Sequence, residues 1–150
     1  MTRIDIHPPK QLCDQHLLSN HREIKRICNR LHQRLLKNNF HDIPVTFYEI
    51  EADKFKELFW LDKGLWTYNR YLELHQECLE RGFNVSDFSG NWDVYRRKNS
   101  FFRDWKPVKY HYDLLEKRVL QRVSGMKVIR YHGKEISFED YFEKIWKSVK

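Results

Sequence analysis

Apolar residues recur along this chain at intervals of three and four, while strict alternation is scarce, so the pattern predicts helices with little or no sheet. An extended start runs into Pro8-Pro9, which can open a helical region. From there Ile24, Ile27, Cys28, Leu31 and Leu35 keep helical spacing until Asn38-Asn39 ends it. Residues 41 to 60 begin as a loop around Pro44; Asp53 then caps a short helix bearing Phe55, Leu58 and Phe59. A longer helix is predicted from Lys63 to Arg81, with Leu65, Tyr68, Leu72 and Leu79 on one face and Gly82 as terminator. Residues 83 to 106 show no steady period and read as loop. Pro107 suits the first turn of the next helix, which carries Val108, Tyr112, Leu115 and Val119 as far as Ser124-Gly125. Ser137 and Asp140 form a capping box for a last helix at 137–149, with Phe138, Phe142, Ile145 and Val149 along one side. Only Val45–Tyr48 and Val128–Tyr131 look extended. The expected architecture is mainly α: a single domain over 1–150 of three principal helices plus short helices and loops.

Composition narrows the picture. With 150 residues the chain is long enough to bury a core, and its 23 aromatic residues argue against disorder. The net charge of +7 favours an anionic partner without saying which. Its distribution says more. On a wheel of about 100° per residue, Arg22, Arg26, Arg30 and Gln33 fall within about 80° of one another, opposite Ile24, Leu31 and Leu35, so a basic stripe is backed by core. Tyr95-Arg96-Arg97-Lys98 adds further positive charge. Cys13, Cys28 and Cys78 lack metal-type spacing and are expected to be reduced, buried thiols of a cytoplasmic protein. No apolar run is long enough for a bilayer, and Met1–Asp5 lacks the apolar core of a signal peptide, so no membrane association is expected.

No metal motif, glycine-rich phosphate loop or serine elbow is present, and the eight histidines suggest no ligand pair, so neither metal nor cofactor is expected. One unusual nucleophile is available. Met before a small residue is normally removed, which would leave Thr2 with a free α-amine. Such amines titrate near about 7.7–8.0, so a useful fraction is uncharged and able to attack carbon at neutral pH. Met-Thr is nevertheless a common beginning and carries no weight alone.

Its context supplies the weight. Thr2-Arg3-Ile4, Asp14-Gln15-His16-Leu17 and Arg22-Glu23-Ile24-x-Arg26 resemble the start of the endonuclease V-type pyrimidine-dimer DNA glycosylases of phage, bacteria and chlorella viruses. Phe59, Asp62-Lys63, Glu73-Leu74, Glu77-Cys78-Leu79 and Arg81-Gly82-Phe83-Asn84 fit the same family in register. The clear resemblance covers about 1–30 and 58–87, with a weaker echo in Gln121-Arg122 and Tyr131-x-Gly133-Lys134.

The resemblance implies an N-terminal segment packed between helices, a nucleophilic amine on Thr2 and a catalytic carboxylate on Glu23. Arg22 and Arg26 would hold distorted DNA, with Arg3, Gln15 and His16 lining the site. His21, where the family usually shows an aromatic residue, and Arg30 join the expected DNA-binding set, and Lys117 and Arg118 are expected phosphate contacts. The implied activity is that of a bifunctional glycosylase and AP lyase in base excision repair, acting without a cofactor on duplex DNA that contains pyrimidine dimers or abasic sites. A monomer is expected, associated with the nucleoid when bound. Two alternatives remain: the same chemistry aimed at abasic or ring-opened purine sites, and a non-catalytic basic DNA-binding protein.

Overall fold

A computed structural model describes residues 4–40 and 57–148. The expected loop at Pro44, the Asp53 cap, Phe55, the extended stretch Val45–Tyr48 and Val149 all lie outside those residues, as do Thr2 and Arg3. Among the described residues the fold is mainly α, as the hydrophobic pattern requires.

Residues 4–7 are extended and buried, and a 3-10 turn at Pro9–Gln11 leads into helix α1, Asp14–Glu23. Helix α2 spans Arg26–Lys37. The expected single stripe from Arg22 onward is therefore divided between two helices. At the break, Ile27 and Cys28 donate to the carbonyls of Ile24 and Lys25, three residues back, which tightens the turn. Lys25 is held across the Phe88 ring at 3.7 Å. As expected, α2 stops at Asn38, which adopts a left-handed conformation with φ 48° while Asn39 donates to the Arg34 carbonyl.

Short helix α3, Glu57–Leu61, precedes the long helix α4, Gly64–Glu80. Gly82 ends α4 with φ +83°, and Phe83 and Gly82 donate to the carbonyls of Cys78 and Leu79 in a Schellman motif. The buried face of α4 differs from expectation. Leu72 and Leu79 are 42% and 49% exposed, whereas Thr67, Arg70, Tyr71, Leu74 and Cys78 face inward. The cause lies in residues 83–106, expected to be loop. Ser89–Arg97 instead winds as a 3-10 helix, followed by a second short one at Asn99–Phe101. With about three residues per turn, Trp92 and Tyr95 point to one side. Trp92 donates to the Thr67 hydroxyl at 3.1 Å and Tyr95 to the Leu61 carbonyl at 2.9 Å, so these rings select the inner face of α4.

Helix α5 covers Lys109–Ser124 and buries Leu115 and Val119 as expected, but the expected Val108 and Tyr112 are exposed and His111 and Val123 face inward instead. Strands β1, Ile129–Tyr131, and β2, Lys134–Ile136, pair antiparallel with Tyr131 opposite Lys134. His132 and Gly133 both have positive φ, the geometry of a tight two-residue hairpin turn. The Ser137 hydroxyl accepts from the Asp140 amide, as expected, at the start of α6, Phe138–Asp140. The chain then loosens into a π-helical turn at Tyr141–Trp146, so the inward residues are Tyr141, Ile145 and Trp146 and not the expected α-helical set. The i→i+5 bonding of such a turn, seen where the Lys147 amide donates to the Phe142 carbonyl, brings Tyr141 and Trp146 toward one side. There Tyr141 donates to the Gln11 carbonyl, and Gln11 donates to the Trp146 carbonyl at 2.7 Å.

Two apolar clusters result. One joins residues 4–6, α1, α2, α4 and the 3-10 helix; the other gathers Cys13, Val119, Val123, Ile129 and the π turn. Cys13, Cys28 and Cys78 are unbridged and buried, as expected. Between the clusters lies Arg81, whose buried guanidinium donates to Asp14 at 2.9 Å, to Glu77 at 3.0 Å and to the Pro9 carbonyl at 3.0 Å. Asp14 also accepts the amides of His132 and Gly133 from the hairpin.

Removing one partner from such a group strands the others. Asp14→Ala is expected to cost about 3–5 kcal/mol of unfolding free energy in urea titrations. Gly64→Ala is expected to lose about 2 kcal/mol despite better helix propensity, because its Cβ would fall 2.6 Å from the Tyr95 ring and 2.9 Å from Phe102.

Candidate functional site

The N-terminal segment is fastened to α1 by the Asp5 amide, which donates to the Asn20 side chain at 3.0 Å. Asn20 in turn donates to the His16 carbonyl, one turn earlier on the same helix. Since Glu23 lies three residues beyond Asn20, residues 4–5 sit about one helical turn from the carboxylate implied by the resemblance. Glu23 is half-buried, and Arg26 Nη1 lies 3.8 Å from its carboxylate across the break between α1 and α2. Arg22 and Arg30 are exposed on either side of that pair. The structure thus brings Arg22, Glu23 and Arg26 together on adjacent turns.

The remaining expected residues are distributed differently. Gln15 spends both ends of its amide on β1 and the residue before it, donating to the Val128 carbonyl at 2.6 Å and accepting from the Arg130 amide at 3.1 Å. His16 is buried beneath the N-terminal segment's side of α1. His21 is only 2% exposed and faces inward, with Tyr71, His75 and Phe88 around its ring. Its Nε2 lies 3.0 Å from His75 Nδ1. Burial, with His75 and Lys25 nearby, pushes the His21 pKa down to about 4 against the opposing pull of Asp87. On α5, Lys117 is exposed and Arg118 half-buried.

Periodicity gave no sign of a buried polar group under the N-terminal segment. Asp5 receives His7 at 2.8 Å, and its second oxygen has no hydrogen-bond partner among the described residues. Burial raises the Asp5 pKa, but the His7 hydrogen bond and the charges of His7, Arg70 and His16 outweigh it and hold the carboxyl below its usual value. Arg70, 3% exposed on α4, leaves Nε and Nη2 without hydrogen-bond partners among the described residues; its Nη1 lies 3.6 Å from Glu73. Its position beside Tyr71 is the one sequence clue, and the apolar pattern of α4 points to a different face. His7 completes the floor by packing against Trp146 and Tyr112, with ring centroids 4.8 Å and 5.6 Å away.

Among the described residues no cluster of His, Cys, Asp or Glu is suited to hold a metal. No helix there is long and apolar enough to cross a membrane. What the arrangement offers is a carboxylate at the end of α1, next to the strongly basic helix α2, with the N-terminal segment anchored to the same α1.

Comparison with known families agrees with that chemistry. The model of the pyrimidine dimer DNA glycosylase family matches residues 1–89. The chain belongs to that family. The match identifies it as a DNA glycosylase of repair, with DNA as its substrate. In this glycosylase the matched residues hold the N-terminal segment, α1, α2 and α4, hence every residue gathered around Glu23. The hairpin and π turn that brace those elements come from beyond the match.

The depressed His21 pKa has a defined consequence. In the unfolded chain the imidazole protonates near 6.5, whereas the folded protein resists protonation until about pH 4. Stability should therefore be intact above pH 6.5 and fall as pH drops through this window, by roughly 1.4 kcal/mol per unit from this group. His21→Phe should flatten that part of the curve, measured as urea midpoints between pH 4 and 7.

Proposed function

We propose that this glycosylase acts on ultraviolet-induced cyclobutane pyrimidine dimers as a bifunctional N-glycosylase and AP lyase, with the Thr2 α-amine as nucleophile once Met1 is removed. The observation that carries the reading is the Asp5–Asn20 hydrogen bond, which anchors the chain three residues after Thr2 and one turn before Glu23. A free amine at position 2 has only a short tether to that carboxylate.

The Thr2 nitrogen attacks C1′ of the 5′ nucleotide of the dimer, forming an N–C1′ bond. The glycosidic C–N bond breaks and its electron pair leaves with the base. The attached nitrogen gives up a proton to the departing base, its freed lone pair then opens the sugar ring, and the ring oxygen takes up a proton as the iminium ion forms. Glu23 has two tasks: its negative charge stabilises the positive charge developing on the sugar, and its oxygen removes a C2′ proton. Loss of that proton drives β-elimination, in which the C3′–O bond breaks and the phosphate departs with the electron pair. Water finally hydrolyses the imine and releases the amine. None of these steps calls for a cofactor.

Arg22, Arg26 and Arg30 grip phosphates around the lesion, and Lys117 and Arg118 on α5 supply further contacts. Arg3 joins the DNA-binding set on the family resemblance. His16, Gln15 and His21 stand behind it, and their packing and hydrogen bonds fix the helix that presents Glu23. Damaged duplex is favoured because a lesion has already weakened stacking and lowers the cost of bending the DNA and turning out a base. The protein acts as a monomer.

Borohydride should trap a covalent protein–DNA adduct on dimer-bearing and abasic duplexes, and a form retaining Met1 should give none. Glu23→Gln should lower strand cleavage by about 10²–10³-fold or more while leaving affinity for damaged duplex nearly unchanged. Cleavage at the wild-type rate by that variant would remove Glu23 from the mechanism. Faster cleavage of ring-opened purine than of dimer duplex would assign a different lesion.

A further inference from the structure

The chain's positive charge is not spread evenly. Helix α2 holds Arg26, Arg30, Arg34 and Lys37 in twelve residues with no acidic residue. Residues 96–103 hold Arg96, Arg97, Lys98 and Arg103, again with none. Taking those eight away leaves 20 basic against 21 acidic residues, so these two stretches contain the whole positive excess.

Folding brings the two stretches into contact. The 3-10 helix Ser89–Arg97 packs against α2. At its end, Lys98 Nζ lies 4.7 Å from the ring of Phe40, just past α2, and 5.1 Å from Phe101. The two rings meet edge to face with centroids 5.7 Å apart, which ties the basic end of one element to the basic end of the other. Arg103 is engaged by Asp62, and Arg96 meets Asp93 at 3.8 Å while its side chain remains 85% exposed. Crowding cations raises self-repulsion in the free protein, and a polyanion relieves it.

We infer that Arg96, Arg97 and Lys98, with the C-terminal half of α2, form a second phosphate-binding tract for duplex DNA flanking the lesion. The inference rests on the reading that Glu23 and Arg26 mark the lesion site, because α2 begins there. Twelve residues at about 1.5 Å per residue carry α2 about 18 Å away, or about five base pairs along a duplex. Three of these cations lie beyond the residues matched by the family, so they extend the footprint of the shared site.

The test is equilibrium binding of wild type and the double variant Arg96→Gln/Arg97→Gln to a 30-base-pair duplex carrying one abasic site, between 50 and 200 mM salt. Losing two phosphate contacts should reduce the slope of log affinity against log salt by about 1.8. On one of two duplexes truncated to three base pairs on one side of the lesion, wild type should bind as weakly as the variant. An unchanged slope, or equal loss on both truncated duplexes, overturns the tract. So does an unchanged DNA slope with loss of binding to phosphatidylserine vesicles, which would make the tract a membrane-surface patch. Borohydride trapping by the wild-type protein checks the lesion-site reading separately: absence of an adduct would sink that reading, while the salt slope still decides the tract.

Discussion

The buried ion cluster at Arg81 is the constraint on which the rest of the structure depends. A guanidinium removed from water costs least when its donors are met, and here Asp14, Glu77 and the Pro9 carbonyl meet them, with the Tyr131 ring 4.6 Å away. These partners come from α4, the start of α1, the 3-10 turn before it and the hairpin. One side chain therefore fixes the end of α4 against the beginning of α1, and through α1 it sets the place of Glu23. The carboxylate of Asp14 extends the constraint to the hairpin by accepting two of its amides.

Within this frame the residues beyond the family match act as a brace. The π turn holds Gln11 by two hydrogen bonds, and Trp146 packs on His7. Trp146 also donates to Glu116 on α5 at 2.7 Å, so the N-terminal segment is clasped by elements far away in sequence. The site thus combines residues inside the matched segment with a support that comes from beyond it.

Much of this was legible in the sequence where structure is local. The spacing of Leu31 and Leu35, Asn38 as terminator, Gly82 after α4 and the Ser137 cap each express a preference that neighbouring residues suffice to reveal. Three features were hidden because distant partners decide them. The inner face of α4 is chosen by Trp92 and Tyr95, which arrive from a segment whose three-residue period resembles loop. The π turn reorders the last apolar face by a single residue of winding. Arg70 and Asp5 look like ordinary surface charges until the N-terminal segment covers them. For the site, the proximity of Glu23 and Arg26 followed from helical angle, while Thr2 and Arg3 drew their significance from the family resemblance alone.

The three cysteines have a bearing on how such a protein endures. Each is enclosed, and burial pushes each thiol pKa up, Cys78 to about 11, so almost none exists as the reactive thiolate near neutrality. Peroxides attack thiolates far faster than protonated thiols. A repair protein built this way can stay in its native form among oxidants, without borrowing reducing power to remain intact.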